Sequence, residues 1–316
     1  MSHYASFDLI VLFFILGIVA SWSKSDLAIP DQISKFLSIF LLLALGLKGG
    51  HEVGAAQDLS GFLPALSIGL ISCVVLPLAI FAILFKRLGS VNAAALSASY
   101  GSVSAVTFIT AQSILNKEGV EFSGYMVAIM ALMEMPAILI AVGLYQRFTE
   151  PFKPASLVNL KGLLTAKSVV LLLGGFLIGF LMNERSWDSI APVFVGSFKG
   201  VLAIFLLDLG ITAQQQLREA AKYKWTALGV AFFLPLMFGS VALLISHMVG
   251  LSQGDQILLA VLVGSASYIA APAAIRSSIT KANPGLYLAL PLALTFPMNL
   301  LFGIPFYLQL SLWLQG

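Results

Sequence analysis

The decisive stretch of this chain is Ala95-Leu-Ser-Ala-Ser-Tyr-Gly-Ser-Val-Ser-Ala-Val-Thr107, which places glycine and hydroxyl groups inside a long apolar run. The second half of the chain repeats the pattern at Val263-Gly-Ser-Ala-Ser-Tyr-Ile-Ala-Ala-Pro272. An unsatisfied hydroxyl or peptide group is costly in hydrocarbon, so these groups are predicted to pack against other helices or to line a wet cavity. Two such places in corresponding positions of two half-chains are typical of crossed, interrupted helices around a transport site.

The composition around these stretches indicates a multi-span membrane protein. Of the 316 residues, 59% are hydrophobic and 10% are charged, whereas soluble domains carry roughly 25% charged residues. A single soluble core could not bury this much apolar surface. The net charge of +3 does not indicate a nucleic-acid partner, and the single cysteine, Cys73, cannot form a disulfide within the chain.

Apolar runs separated by charged or Pro/Gly-rich loops predict ten membrane spans. Their approximate limits are 6–22, 33–50, 61–85, 91–116, 121–147, 167–183, 190–212, 225–249, 256–279 and 284–314. With the N-terminus outside, thirteen of the seventeen Lys and Arg residues fall in inside loops and three in outside loops. This positive-inside bias predicts a lipid-embedded, multi-pass protein of the bacterial inner membrane with both termini periplasmic.

The two half-chains also resemble each other in order and spacing. Phe40 to Lys48 matches Phe205 to Thr212, the Gly101 break matches the Gly264 break, and Leu132 to Pro136 matches Ala293 to Pro297. Because each half has an odd number of spans, the second half must be inserted upside down relative to the first. The predicted fold class is therefore an all-α membrane protein of ten helices in two inverted five-helix repeats. The predicted units are residues 1–148, a cytoplasmic linker at 149–167, and residues 168–316.

The two breaks offer the chemistry of an anion site. A helix that starts at mid-membrane points free N–H groups and the positive end of its dipole into the cavity, so two opposed starts attract an anion without arginine. Serine oxygens and freed carbonyls there could also hold Na⁺. Close packing of small residues is the alternative explanation. The predicted substrate site comprises Gly101, Ser102, Val103, Ser104, Gly264, Ser265, Ala266 and Ser267.

Ionisable groups inside the spans are further candidates, because intramembrane charges are commonly functional. Glu134, beside Pro136, is predicted to be a cation ligand or to line the site, while Asp208 is either functional or paired near the membrane edge. Lys199 could bind an anion, although a paired or snorkelling side chain is the favoured interpretation. Asn299 could supply a cavity amide or simply pack. The predicted sodium ligands are Ser104, Thr107, Glu134, Ser267 and Asn299.

Enzymatic functions find little support in the motifs. His51-Glu52 begins like the metalloprotease helix motif, but Ala55 stands where the second zinc ligand is needed. The sequence contains no phosphate-binding loop, so direct drive of transport by ATP is not expected. The chain is therefore predicted not to be an enzyme, to use no organic cofactor and to bind no transition metal.

Several motifs, in order along nearly the whole chain, resemble the sodium-dependent bicarbonate transporters of the cyanobacterial carbon-concentrating type and their wider bacterial relatives. These motifs are Gly46-Leu-Lys-Gly-Gly-His-Glu52, Tyr100-Gly-Ser-Val-Ser-Ala-Val-Thr107, Met133-Glu-Met-Pro-Ala137, Ser265-Ala-Ser-Tyr-Ile-Ala-Ala-Pro272, Ala282-Asn-Pro-Gly-Leu-Tyr287 and Thr295-Phe-Pro297.

The resemblance implies a core domain that moves against a gate domain, a homotrimer, and a bicarbonate site between the two breaks with sodium close by. It also implies a cytoplasmic regulator of the PII type. The chain departs from well-known cyanobacterial members at Tyr268 and Glu134 and has a shorter linker, which leaves other small anions open and weakens the inference of a regulator.

The leading hypothesis is a secondary symporter that couples Na⁺ to the import of a small anion, with bicarbonate as the first candidate, by alternating access. A carrier for organic anions, a proton-coupled carrier that uses Glu134, and an intramembrane enzyme are the alternatives.

Overall fold

The computed structural model describes residues 9–55, 59–149, 167–220 and 229–315, and within these ranges the secondary structure is helical, with no strand. The helices of the first half are α1 (Leu9–Trp22), α2 (Asp31–Ala55), α3 (Phe62–Gly101), α4 (Ala105–Lys117), α5 (Tyr125–Met133) and α6 (Pro136–Thr149). Those of the second half are α7 (Lys167–Leu181), α8 (Glu184–Phe194), α9 (Phe198–Ala220), α10 (Gly229–Met248), α11 (Gln253–Val263), α12 (Ala270–Ser278) and α13 (Gly285–Gln315).

The structure confirms the prediction from composition that the chain contains helices able to span a membrane. Within the described ranges, 6 helical segments are long and apolar enough to cross a bilayer. They are Asp31–Ala55, Phe62–Lys117, Tyr125–Thr149, Glu184–Leu217, Gly229–Met248 and Gly285–Gln315. Shorter apolar helices lie at Val11–Trp22, Val170–Leu181 and Gln253–Val263. The count of ten spans and the inverted repeat stay predictions.

Glycines allow the helices of the two half-chains to pack closely. α1 packs along α9, and α2 packs along α7. At the second contact Gly46 faces the α7 backbone, where an added Cβ would lie 3.0 Å from the Phe176 amide nitrogen and 3.1 Å from the Gly175 Cα. Small residues of this kind drive helix association in lipid, because close backbone approach replaces the hydrophobic effect.

Two helices depart from the predicted span limits. The segment predicted as one span at 190–212 is divided by a turn at 195–197, which separates α8 (Glu184–Phe194) from α9, beginning at Phe198. The charged and apolar residues of α8 fall on opposite faces, as in a helix that lies at a membrane surface. α3 continues from Phe62 to Gly101 through a kink at Gly89, which has a φ of 74°. A positive φ is readily available to glycine, so the third and fourth predicted spans can join there without a loop.

The last helix is irregular in a way that the apolar pattern does not indicate. α13 contains π-helical turns at Gly285–Ala289, Pro291–Thr295 and Asn299–Gly303. Pro291 and Pro297 lack backbone N–H groups, so they interrupt the regular hydrogen-bond ladder of an α-helix. π-turns are frequent at functional sites, and α13 packs beside both interrupted helices.

Candidate functional site

Helix interruptions occur at both stretches where the sequence predicts them. α3 ends at Gly101, and α4 begins at Ala105 after an extended segment in which Ser102 has φ −88° and ψ 167°. α11 ends at Val263, and α12 begins at Ala270. All four serines of the two predicted breaks are buried, each with 4% or less of its surface exposed.

The two breaks contact each other directly through hydrogen bonds that run in opposite directions. The Ser104 backbone N–H donates to the Ser265 hydroxyl over 2.9 Å. The Ser267 backbone N–H donates to the Ser99 carbonyl over 2.7 Å. Polar backbone that would be costly in a membrane is thus satisfied where the helices cross.

Each new helix is capped by a serine of its own break. The Ser104 hydroxyl accepts hydrogen bonds from the Thr107 backbone N–H at 3.2 Å and from the Thr107 hydroxyl at 2.8 Å. The Ser267 hydroxyl accepts from the Ala271 N–H at 3.0 Å. One cap cannot satisfy every free amide of a first helical turn. The starts of both helices therefore keep positive character beside the crossing.

A small cavity lies at this crossing, between the breaks and the helices α2 and α9. Its volume is about 40 Å³, and one water molecule needs about 10–15 Å³ of such space. The cavity therefore has room for a small ion with little water. Its lining residues are Ser38, Leu41, Leu42, Val103, Ser104, Ala105, Val106, Ile109, Glu134, Phe205, Ser267, Tyr268, Ile269 and Ala270.

Several oxygen-bearing side chains lie at this central cavity, whose walls are otherwise mostly apolar. The Tyr268 hydroxyl lies toward the hydroxyls of Ser104 and Thr107 and is buried without a hydrogen-bond partner among the described residues. Glu134 also lines the cavity and is 8% exposed, and its backbone carbonyl accepts the Ser102 hydroxyl over 2.6 Å. Hydroxyl and carboxylate oxygens are the ligands that hard cations prefer. The same cavity thus holds helix starts suited to an anion and oxygens suited to a cation.

The predicted site residues divide into those at the cavity and those that support it. Val103, Ser104, Glu134 and Ser267 line the cavity directly. Ser102 and Ser265 instead use their hydroxyls in contacts between segments, Thr107 bonds to Ser104, and Ala266 is buried.

Gly101 and Gly264 support the breaks by close packing. A Cβ at Gly101 would lie 3.0 Å from Pro77 and from Ala137, and one at Gly264 would lie 2.8 Å from the Pro235 carbonyl. Asn299 lies behind the second break, where its side-chain NH₂ donates to the Gly264 carbonyl at 2.8 Å. Asn299 is not among the residues that line the central cavity.

The other ionisable candidates lie away from the central cavity. Asp208 is nearly buried and contacts the Ser34 hydroxyl rather than Lys199. Lys199 lines a second cavity and lies at the N-terminal end of α9. His51 stacks on Trp187 of α8, with ring centroids 4.1 Å apart.

Sequence reasoning did not select several residues that hold the site together. The Tyr100 and Thr295 hydroxyls are 2.7 Å apart, and Thr295 donates to the Ala231 carbonyl over 3.0 Å. Ser99 donates through its hydroxyl to the Tyr287 carbonyl at 2.9 Å. These contacts join the first break to α10 and α13. Their signal in the sequence was the number of hydroxyl residues in apolar segments, but a single sequence does not show which of them pair.

The apolar helices and the pair of interrupted helices around a small cavity are features of a multi-pass membrane protein. Residues 10–312 match the Na+-dependent bicarbonate transporter superfamily. The match covers nearly the whole chain, so this protein belongs to that superfamily, as the motifs predicted. None of the curated proteins matches the chain.

Proposed function

We propose that the protein is a secondary symporter that uses the sodium gradient to import bicarbonate across a bacterial inner membrane. The observation that carries this proposal is the Ser104–Ser265 hydrogen bond of 2.9 Å. Through this bond two interrupted helices meet at one small cavity. Membership of a transporter superfamily also argues against the enzyme alternative.

The anion would bind at the starts of α4 and α12. Each start carries roughly half a positive charge from its dipole. The Ser104 hydroxyl is the acceptor in both of its hydrogen bonds with Thr107, so its own proton is not engaged in either of them. That proton can be donated to an anion. A cavity with about 40 Å³ of space suits a small inorganic anion.

Sodium would bind at the same cavity, among Thr107, Ser267, Tyr268 and the Glu134 carboxylate. Ser104, also a predicted ligand, would join them by releasing one of its two hydrogen bonds from Thr107, because a hydroxyl oxygen has two acceptor positions. The physical advantage is electrostatic. Moving a lone anion inward against a negative-inside potential costs about 2.3 kcal/mol of free energy per charge per 100 mV. A bound Na⁺ cancels that charge and stabilises the anion by Coulomb attraction in a partly dry site. Proton coupling through Glu134 is the second candidate, because that carboxylic acid lines the cavity.

The arrangement of the helices supports alternating access as the mechanism. α1 and α2 pair with α9 and α7 respectively, and we propose that these four helices form the gate domain. The remaining helices, which contain both breaks, would form the core. The central cavity lies between the two groups, so sliding of one group against the other would expose it to either side in turn.

The inverted repeat, the homotrimer and the periplasmic termini belong to the same proposal. The linker at 149–167, where a PII-type regulator would act, lies almost entirely outside the described residues.

The test is uptake of isotopically labelled bicarbonate into proteoliposomes. An inward sodium gradient should drive uptake above the equilibrium level, and an equal choline gradient should not. Uptake driven by a proton gradient without sodium would favour the second candidate, and no accumulation under either gradient would contradict symport.

A further inference from the structure

A second cavity lies next to the central one, and Ile109 lines both. Its volume is about 90 Å³, so it is the roomier of the two. It is bounded by α2, α4 and the segment that joins α8 to α9. Its lining residues are Ala44, Leu45, Lys48, Ile109, Gln112, Ser113, Asn116, Phe194, Val195, Phe198 and Lys199. We call it the outer vestibule, because loop charges predict that this end of α2 faces the periplasm.

The vestibule lies about two helical turns outside the central cavity. On α2, Leu41 lines the central cavity and Lys48 lines the vestibule. Seven residues of α-helix rise about 10 Å. Ile109 and Leu45 therefore lie between an ion in the vestibule and the helix starts of the central cavity.

Two lysines give the vestibule a positive charge. Lys48 is partly neutralised by Glu52, whose carboxylate is 3.5 Å from the Lys48 ammonium. Lys199 is exposed and forms no ion pair with any other described residue. An unpaired lysine on the wall of an apolar opening raises the local concentration of anions. Lys199 is therefore the main source of attraction.

Uncharged donors lie deeper, on α4. Gln112 and Ser113 line the vestibule and are 8% and 5% exposed. Among the described residues the Ser113 hydroxyl oxygen is buried without a hydrogen-bond partner. Buried hydroxyls are normally paired, so an unpaired one on a residue that lines a cavity points to a ligand or an ordered water, which a rotation of the Ser113 side chain would let it reach.

We propose that the outer vestibule is a separate capture site, where Lys199 attracts a small inorganic anion and Gln112 and Ser113 bind it before it passes Ile109. The inference rests on the proposed function for the identity of the anion. It goes further in assigning an affinity-determining residue about two turns away from the transport site.

A reversible change of charge at Lys199 tests the role of this residue. The variant Lys199→Cys can be labelled in intact cells, and Cys73 is fully buried and so shielded from the reagent. The neutral cysteine should raise the KM for external bicarbonate about three- to tenfold without lowering the maximal rate, since steering by a single charge acts on capture. An aminoethyl thiosulfonate reagent, which restores the positive charge, should return the KM to about its original value. A sulfonatoethyl reagent, which adds a negative charge, should raise the KM further.

The matched control is Arg185→Gln, which removes one positive charge from exposed helix α8 but not from the vestibule. Its KM should stay at the wild-type value. Equal KM values for the two charged labels at position 199 would overturn the proposal, because a purely structural role would not follow the sign of the charge.

A binding measurement on purified protein separates this inference from the proposed function. Asn116 is exposed and lines the vestibule, so Asn116→Cys reports on its occupancy. Sodium bicarbonate should slow thiol labelling at this position relative to sodium gluconate of equal ionic strength, and Lys199→Gln should abolish that protection. Protection without any transport would leave the capture site standing and the symport proposal refuted. Absence of protection in the wild-type background would refute the capture site itself.

Discussion

Removal of the Ser265 hydroxyl tests whether the crossing of the two helices holds the site together. This hydroxyl accepts the Ser104 N–H at 2.9 Å and donates to the Leu262 carbonyl at 2.9 Å. In Ser265→Ala the Leu262 carbonyl still accepts the Gly264 N–H, but the Ser104 N–H is left buried without a partner. An unsatisfied buried donor costs about 1–3 kcal/mol.

That cost should appear in both stability and binding. The start of α4 can relieve the unpaired N–H only by shifting away from α11, and such a shift displaces the amides and the Ser104 hydroxyl that face the anion. If the whole cost falls on binding, the KM for bicarbonate rises about 5- to 150-fold. The measurements are initial uptake rates in proteoliposomes and thermal unfolding of the purified protein in detergent.

Ser246 provides a matched control. It is fully buried, and its hydroxyl donates to the carbonyl three residues earlier, Leu243, over 2.8 Å. Ser265 makes the same local bond and in addition accepts from the other break. Ser246→Ala should therefore leave the KM unchanged. If Ser265→Ala transports and unfolds like Ser246→Ala, the hydrogen bond between the breaks does not organise the site.

Further predictions address the ligands, the scaffold and the topology. Ser104→Ala and Ser267→Ala should each weaken anion affinity roughly ten- to hundredfold at normal membrane abundance, since each removes a hydroxyl beside the ion; wild-type uptake would assign these serines to packing. Asp255 is buried and accepts three hydrogen bonds, from the Ser123 N–H, the Ser123 hydroxyl and the Tyr125 hydroxyl. Asp255→Ala leaves these donors without their acceptor and should lower the free energy of unfolding by about 1–3 kcal/mol for each donor that stays buried and unpaired; an unchanged unfolding temperature would exclude this role. Reporter fusions at Gly316 should be active only in the periplasm; a cytoplasmic signal would contradict the topology.

The positions of the helix breaks could be predicted from the sequence because local chemistry determines them. Gly101 to Ser104 and Gly264 to Ser267 place hydroxyls and small residues where lipid would exclude them. Any fold that satisfies those groups has to bring them to other polar groups. The repeat-related spacing then indicated that the two breaks face each other. The Ser104–Ser265 and Ser99–Ser267 hydrogen bonds between them were not predicted.

Features that depend on packing between distant segments could not be predicted in the same way. Asp255 was not singled out in the sequence, because its three donors come from 130 and 132 residues away in the chain. Asn299 was expected to bind sodium, and the sequence did not show that its side-chain NH₂ donates to the Gly264 carbonyl at the break. Its side-chain oxygen is buried without a hydrogen-bond partner among the described residues, so its role as a sodium ligand stays a prediction. Tyr268 was noted only as a departure from relatives, although its hydroxyl faces the oxygens of the central cavity.

The start of the seventh predicted span differs from the start of α9 for a related reason. The segment Glu184–Phe194 contains enough apolar residues to look like the beginning of a span. Trp187 stacks on His51, and Phe194 stacks on Phe40 with ring centroids 5.4 Å apart. These ring contacts hold α8 against α2, and no residue of α8 is fully buried, which favours a surface helix over a continuation of α9.

The proposed symport requires that sodium and bicarbonate bind to one cavity and stabilise each other there. The direct test is calorimetric titration of bicarbonate into the purified protein in sodium buffer and in choline buffer. A coupling free energy of about 1–3 kcal/mol predicts that saturating sodium tightens bicarbonate binding roughly 5- to 150-fold, and that bicarbonate tightens sodium binding by the same factor. Equal affinity for bicarbonate in the two buffers would contradict the claim.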